Sequence, residues 1–341
     1  MPKRKRSQPL TFGSACSGLC AELFAAEYLG VEATAIFACD NDKHVTTLSK
    51  QLWQHKFYYN DVFEDEFVQN APCVDFFLGG FPCGPFSLQG LGKGVNDEAQ
   101  GTVVYRLLMY IARKQPTTFL LENVKGLLTA HPNVLLEVMT FLRGLKVKGS
   151  KKPLYTVVWA CLNSRDFGLP QNRERIFVVG LKNSHKIADF SWPISVPCVK
   201  MRSLSCFLDM DDVGNMVSNM KKLNKTELEN IRKSYQKIKS EGGSPAKQHY
   251  VLNAGGTSPQ YNLNYSPCLT RTRCGSKGYW LSWLNRPMKT HEMWALQGLP
   301  KKSFPKEVVS ESQLGKIIGN SIPITMLAAV MRNMFEACQF R

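Results

Sequence analysis

The chain predicts an α/β fold: a mainly parallel sheet covered on both faces by helices, with a smaller basic unit beside it. Three observations carry this. Short apolar runs alternate with amphipathic segments through the first half, the pattern of a parallel sheet. Several of those runs end in small or acidic residues, where an open α/β sheet presents its ligands. The 341 residues are more than one core usually serves.

Residues 10–16, 33–40, 74–79, 117–122, 155–161 and 175–181 read as strands, and segments near 19–29, 41–53, 101–115 and 132–145 have helical period. After Leu181 the pattern changes. Residues 182–265 are polar, basic and irregular, with one expected helix, TELENIRKSYQKIKS, followed by a Gly/Ser/Pro loop, EGGSPAKQ. From 286 onward helical character returns, and MLAAVMRNMFEAC reads as a final amphipathic helix. The expected layout is a basic tail over 1–9, an α/β domain over 10–184, a small domain over 185–285, and a return of 286–341 to the first domain. No internal repeat stands out.

The net charge of +16 points to a polyanionic partner, since Lys and Arg neutralise phosphates and release counterions. A membrane surface is the competing partner, but no amphipathic basic helix stands out and no apolar run reads as long enough to span a bilayer. MPKRKRSQPL has a charged start without the apolar core of a signal peptide. Its Lys3 to Arg6 run is a nuclear address or a nucleic-acid contact, with a solvated tail as the bland alternative. The eleven cysteines are scattered, often beside apolar runs (Cys39, Cys161, Cys338), and read as reduced, buried thiols. No paired C-x-x-C has metal spacing and there are only six histidines, so no metal site is expected.

Six strand-end features carry chemistry. In GGFPCGPFS (79–87), Gly79 and Gly80 suit a sharp turn and close backbone approach, and Pro82 and Pro85 fix the backbone around Cys83. FGSACSGL (12–19) is a small-residue turn into a helix; Gly13, Ser14 and Gly18 would let a cofactor approach the backbone, though a tight turn without ligand reads as well. Asp40 in ACDND is placed to accept hydrogen bonds from a ribose, or to cap a helix. Asn60-Asp61-Val62 is a further acidic end. Glu122 in LLENV ends an apolar strand; a carboxylate costly to bury there suits a proton donor, or it caps the next helix. In QNRER (171–175), Arg173 and Arg175 alternate, so both face one side of an extended segment and could grip a carboxylate or carbonyl, unless the strand is a solvated edge.

FPCGPFS, ENV, QNRER and the late GNSIP (319–323) stand in the order of the cytosine-5 DNA methyltransferase family, and the sequence resembles that family over nearly its whole length except roughly 185–265. FGSACSG resembles the family's first, cofactor-binding motif, QGTVVYRLLMYI the helix after its catalytic loop, and RPMKTHEMWALQGLP the helix before its last motif. Two departures stand out: Ala15, Cys16 and Ser17 sit where glycines are denser, and Gly84 sits where glutamine is usual.

The resemblance implies a Rossmann-like class I methyltransferase with a small target-recognition domain, acting on double-stranded DNA as a monomer. It implies that Cys83 attacks carbon 6 of cytosine, that Glu122 holds ring nitrogen 3 and the amine, and that Arg175, with Arg173, contacts the cytosine carbonyl and nearby backbone. Asn123 would brace the Pro-Cys loop. The methyl donor would be S-adenosylmethionine, leaving S-adenosylhomocysteine. Phe12, Gly13, Ser14, Gly18, Asp40, Asn41, Asp61, Val62, Val103, Asn320 and Ser321 would surround it, with Pro82 beside it. The cytosine must leave the stack, since this chemistry is out of reach inside a duplex. Residues 84–101, with five glycines, are expected to form a mobile closing loop, Ser87 or Gln89 filling the vacated space and Lys93 meeting phosphate. A transfer-RNA-directed enzyme of the same fold is the runner-up; the usual Cys-Phe-Thr signature of that branch is absent at CFLDM. An inactive regulatory homologue is a further alternative. Location in the nucleus follows Lys3 to Arg6, with a bacterial or viral cytoplasmic protein as the alternative.

Overall fold

In a computed structural model, residues 8–81, 103–195 and 202–340 are described. The chain divides into two compact units. The first comprises 1–162, 174–194 and 327–341; the second comprises 163–173 and 195–326.

The first unit is built on a seven-stranded sheet: β1 (Leu10–Ala15), β2 (Ala33–Cys39), β3 (Phe57–Tyr59), β4 (Phe76–Gly80), β5 (Thr118–Val124), β6 (Tyr155–Asn163) and β7 (Glu174–Lys182). Their order is β3-β2-β1-β4-β5-β7-β6. The pairings β3–β2, β2–β1, β1–β4 and β4–β5 are parallel, while β7 runs antiparallel to β5. The strands read as continuous apolar runs because helices cover the sheet, so successive side chains on both faces are buried. The helices are α1 (Ala21–Leu29), α2 (Lys43–Leu52), α3 (Asp65–Asn70), α4 (Val103–Lys114), α5 (Gly126–Ala130) and α6 (Pro132–Gly144). Local chemistry sets their ends. Gly30 closes α1 in the left-handed region, its N–H reaching the Ala26 and Glu27 carbonyls. The Asp42 carboxylate accepts from His44 N at the start of α2.

An aromatic cluster fills the space beneath α4. Tyr110 lies 4.4 Å from Phe77 and 5.5 Å from Phe37 and Phe67, ring centroid to ring centroid, and its hydroxyl donates to Pro72 O at 2.6 Å. Two glycines make room for aromatic rings across the sheet. A Cβ on Gly180 would sit 2.0 Å from the Phe119 ring, its partner across β5 and β7, and one on Gly13 would sit 2.2 Å from the Phe37 ring.

In the second unit, β8 (Tyr250–Asn253), β9 (Tyr261–Leu263), β10 (Tyr279–Leu281) and β11 (Arg286–Pro287) follow the helices α7 (Met216–Met220) and α8 (Lys225–Ser240) in the chain. They form a sheet ordered β11-β10-β8-β9, antiparallel at each pairing. The expected helix is α8, begun by a reciprocal cap between Asn224 and Glu227. Its buried Ile231 and Ile238 pack with Leu252 and Trp280, and Asn230 Nδ2 donates to the Ala254 and Gly256 carbonyls at 2.8 Å. So 182–265 is less irregular than its composition suggests: β8 and β9 are too short, at four and three residues, to show a period.

The second unit also contains α9 (Arg271–Gly275), α10 (Thr290–Leu296) and α11 (Glu311–Asn320); α12 (Ile324–Ala337) starts in it and ends in the first. Glu311–Ala337 is long and apolar enough to cross a bilayer when its helices are counted together, contrary to the sequence reading; 78% of its most apolar window is buried, which makes it a core element. In α10 the fully buried Glu292 carboxylate accepts from Arg286 Nη2 and Nη1 at 2.7 and 2.9 Å, and from Asp209 N and Lys289 N.

Candidate active site

The sheet order reverses between β1 and β4, and that switch point is where an open sheet leaves a crevice. The turn leaving β1 there is unusual. Cys16, Gly18 and Cys20 all hold left-handed backbone, at φ of 52°, 53° and 53°. Only at Gly18 is that conformation free of side-chain cost, and the space beside it is open within 4 Å. Ser17 Oγ accepts from Cys39 N at 3.0 Å, tying the turn to β2. Gly18 N donates to Asp40 Oδ2 at 2.9 Å, and Asp42 N donates to Asp40 Oδ1 at 3.0 Å. Asp42, not Asp40, caps α2. Asp40 and Asp61 are partly exposed beyond β2 and β3 and Asn41 is exposed. Asp61 Oδ1 accepts from Phe63 N at 3.1 Å. Val62 is buried and its carbonyl accepts from Arg106 Nε at 2.8 Å; Val103 packs against the core at the start of α4.

The end of β4 brings this turn to Glu122. Gly80 pairs with Glu122. A Cβ on Gly80 would lie 3.4 Å from Cys16 O and 4.0 Å from Glu122 Oε2. Gly79 and Gly80 are therefore strand residues that permit close packing rather than a sharp turn. Gly79 is pressed by Leu107 and Leu121, each 2.8 Å from its Cβ position. Glu122 Oε1 lies 2.9 Å from Arg175 Nε, with the two side chains 11% and 10% exposed. Arg175 thus supplies the counter-charge a carboxylate needs at that depth, and Glu122 does not cap a helix. Beside it, Asn123 is buried; its Nδ2 donates to Phe81 O at 3.1 Å, one residue before Pro82.

Other sequence candidates serve packing. Phe12 lies 5.2 Å from Phe76 and 6.2 Å from Phe335 in the core. The space at Gly13 is taken by Phe37, and Ser14 is fully buried. Arg173, 1% exposed, donates to Leu269 O, to Gly319 O at 3.0 Å and to Ser321 O at 2.7 Å, all within the second unit. Its guanidinium braces backbone, whereas that of Arg175 faces Glu122. Gln171, also buried, donates to Leu296 O at 3.0 Å and accepts from Leu269 N at 3.2 Å. Asn320, exposed, and Ser321, buried, lie at the end of α11 in the second unit. Pro82, Cys83, Ser87, Gln89, Lys93 and the expected closing loop lie outside the described residues.

Cys16 sits in the same turn, but burial, then the Asp40 and Asp61 carboxylates, push its thiol up to about 12. Burial raises Cys39 further, so both remain protonated at neutral pH and are poor nucleophiles.

The family described as C-5 cytosine-specific DNA methylase matches residues 12–336. The chain belongs to that family. Type II methyltransferase M.HaeII of Haemophilus aegyptius is 33% identical over 316 residues, covering 91% of this chain and 89% of that protein. M.Bsp6I of Bacillus sp. (strain RFL6) is 27% identical over 91% of this chain and 95% of its own. Among solved structures, the Dnmt2 methyltransferase of S. pombe superposes with a TM-score of 0.65 at 15% identity, covering 96% of this chain and 98% of that one. A prophage-encoded putative DNA modification methyltransferase from E. coli gives 0.59 at 18% identity, with 96% and 99% covered. These likenesses establish the fold, a Rossmann-like methyltransferase sheet.

Proposed function

We propose that the chain is a DNA (cytosine-5)-methyltransferase, transferring a methyl group from S-adenosylmethionine to a cytosine flipped out of duplex DNA. The observation that carries this reading is the meeting, around Gly80, of the β1 turn, the Glu122–Arg175 pair and Phe81, whose carbonyl Asn123 holds. The donor fits the residues present: open backbone at Gly18 and partly exposed carboxylates at Asp40 and Asp61 suit a nucleoside and its amino-acid tail. Bound there, S-adenosylmethionine supplies an activated methyl group to carbon 5.

The protein's part is to make that carbon nucleophilic. The Cys83 thiolate adds to carbon 6, a covalent route that replaces one hard step with easier ones. Glu122 holds nitrogen 3 and the exocyclic amine as charge develops, and Arg175 orients Glu122 and meets the cytosine carbonyl. Asn123 holds the root of the Cys83 segment. Loss of the carbon-5 proton then expels Cys83. Arg173 is a brace rather than a base contact. The second unit reads the target, and the excess positive charge supplies phosphate contacts; DNA is bound by a single copy of the chain. The curated relatives above come from bacteria, which favours a bacterial or viral protein working in the cytoplasm over a nuclear one.

DNA carrying 5-fluorocytosine tests the assignment, because fluorine does not leave as the proton does. A covalent adduct mapped to Cys83, abolished by Cys83→Ala with S-adenosylmethionine binding retained, is expected. An adduct on another cysteine, or turnover by the variant, overturns it. Transfer RNA methylated in preference to DNA would favour the runner-up.

A further inference from the structure

Around the β1–α1 turn lies a buried polar cluster that the proposed reaction does not use. Glu22, in the first turn of α1, is 1% exposed; Ser14 on β1 and Cys20 in the turn are 0% and Ser49 on α2 is 2%. Cys20 Sγ and Ser49 Oγ are 3.3 Å apart. The Ser14 hydroxyl acts on the Glu22 carboxyl, yet neither Ser14 Oγ nor Glu22 Oε2 completes a hydrogen bond of normal geometry. Among the described residues, no cation is among the groups that set its ionisation. Those groups are its own burial first, then Ser14 and its own backbone. Cys20, the titratable neighbour, feels the Glu22 charge and that of Asp40 and is itself raised by burial. A carboxylate in such a place is costly unless neutral.

We infer that Glu22 is a positioning residue for the methyl donor: its neutral carboxyl lets the turn close, and its ionisation loosens the turn and weakens donor binding. The inference rests on the donor reading above. The coupling is short. Glu22 is two residues from Cys20, whose left-handed backbone ends the turn, and four from Gly18, whose N–H fixes Asp40. To reach water, a charged Glu22 must swing out the first turn of α1, and Gly18 moves with it. Burial pushes the carboxyl up to about 7, so the closed turn is favoured below neutrality and disfavoured above it.

The test is S-adenosylmethionine binding by calorimetry, on the full chain without DNA, from pH 6 to 9. Wild type and Glu22→Gln are compared as a ratio, which cancels titration of the ligand's own amine. Binding by a protein that must take up a proton weakens about tenfold per pH unit above the midpoint, or about 30-fold at pH 8.5. Glu22→Gln, neutral throughout, escapes this loss. Ser14 favours the charged form, so Ser14→Ala is expected to move the wild-type break to higher pH, and it serves if Glu22→Gln does not fold. A ratio constant across pH, or a break unmoved in Ser14→Ala, overturns the inference. Absence of binding at pH 6 in wild type would instead count against the donor itself.

Discussion

Replacing Glu122 by glutamine separates architecture from chemistry. The side chain keeps its size and one oxygen acceptor, but loses the charge that faces Arg175 Nε at 2.9 Å. Removing one member of a buried ion pair outright costs about 3–5 kcal/mol. The amide retains a hydrogen bond, so the loss should be nearer ~1.5–3 kcal/mol, the scale of a single bond to a charged group. For a protein with roughly 5–15 kcal/mol of stability the fold survives. In the reaction proposed above, the carboxylate's contact with the cytosine ring would strengthen as Cys83 adds. Positioned proton-transfer groups contribute about 10²–10⁴ in rate, or about 3–5 kcal/mol of barrier. The expected outcome is a fall of two to four decades in single-turnover methyl transfer, with a few degrees lost in thermal unfolding and DNA affinity nearly kept. A rate loss below tenfold, or one matched by the loss of DNA affinity, would refute the catalytic role and leave Glu122 a structural partner of Arg175.

Gly180→Ala places a methyl 2.0 Å from the Phe119 ring; urea unfolding should show about 1–3 kcal/mol lost to overpacking. Arg286→Met strands the fully buried Glu292 carboxylate without its guanidinium and is expected to cost about 3–5 kcal/mol; a change under about 1 kcal/mol in the same assay would mean the pair contributes little. DNA binding should weaken with salt along a log–log slope of several units if about five or more phosphates are neutralised; filter binding across a salt series checks this.

Much of the first unit was legible because its signals are local. Strand runs such as FFLGG and TFLLENV are apolar on both faces, and their ends carry the paired Gly80 and Glu122. Glu122 and Asn123 stand near the end of β5, and Arg175 on β7 forms an ion pair with Glu122. Phe12 and Gly13 are harder to read, because a residue beside a cofactor turn and one beside an aromatic core look alike in sequence; in the fold they pack against the Phe76 and Phe37 rings. Arg173 and Arg175 share one motif and one spacing, yet the carbonyls that claim Arg173 belong to residues 269, 319 and 321, a distance along the chain no local pattern reports. Glu22 sits in an ordinary helical first turn, and nothing near it in sequence reveals how deeply it is buried.

The grip of Arg173 and Gln171 limits how the second unit can be exchanged. Its chain is discontinuous: 163–173 belongs with 195–326, and those two side chains hold Leu269, Leu296, Gly319 and Ser321 by their backbone. A cassette cut at 195 and 326 would arrive in a new host without the groups that organise it. If the second unit reads the target as proposed, specificity travels between relatives only when the short QNR segment travels too, or when the host already carries a matching one. Hybrids that swap the continuous stretch alone should therefore fail by misfolding before they fail by misreading.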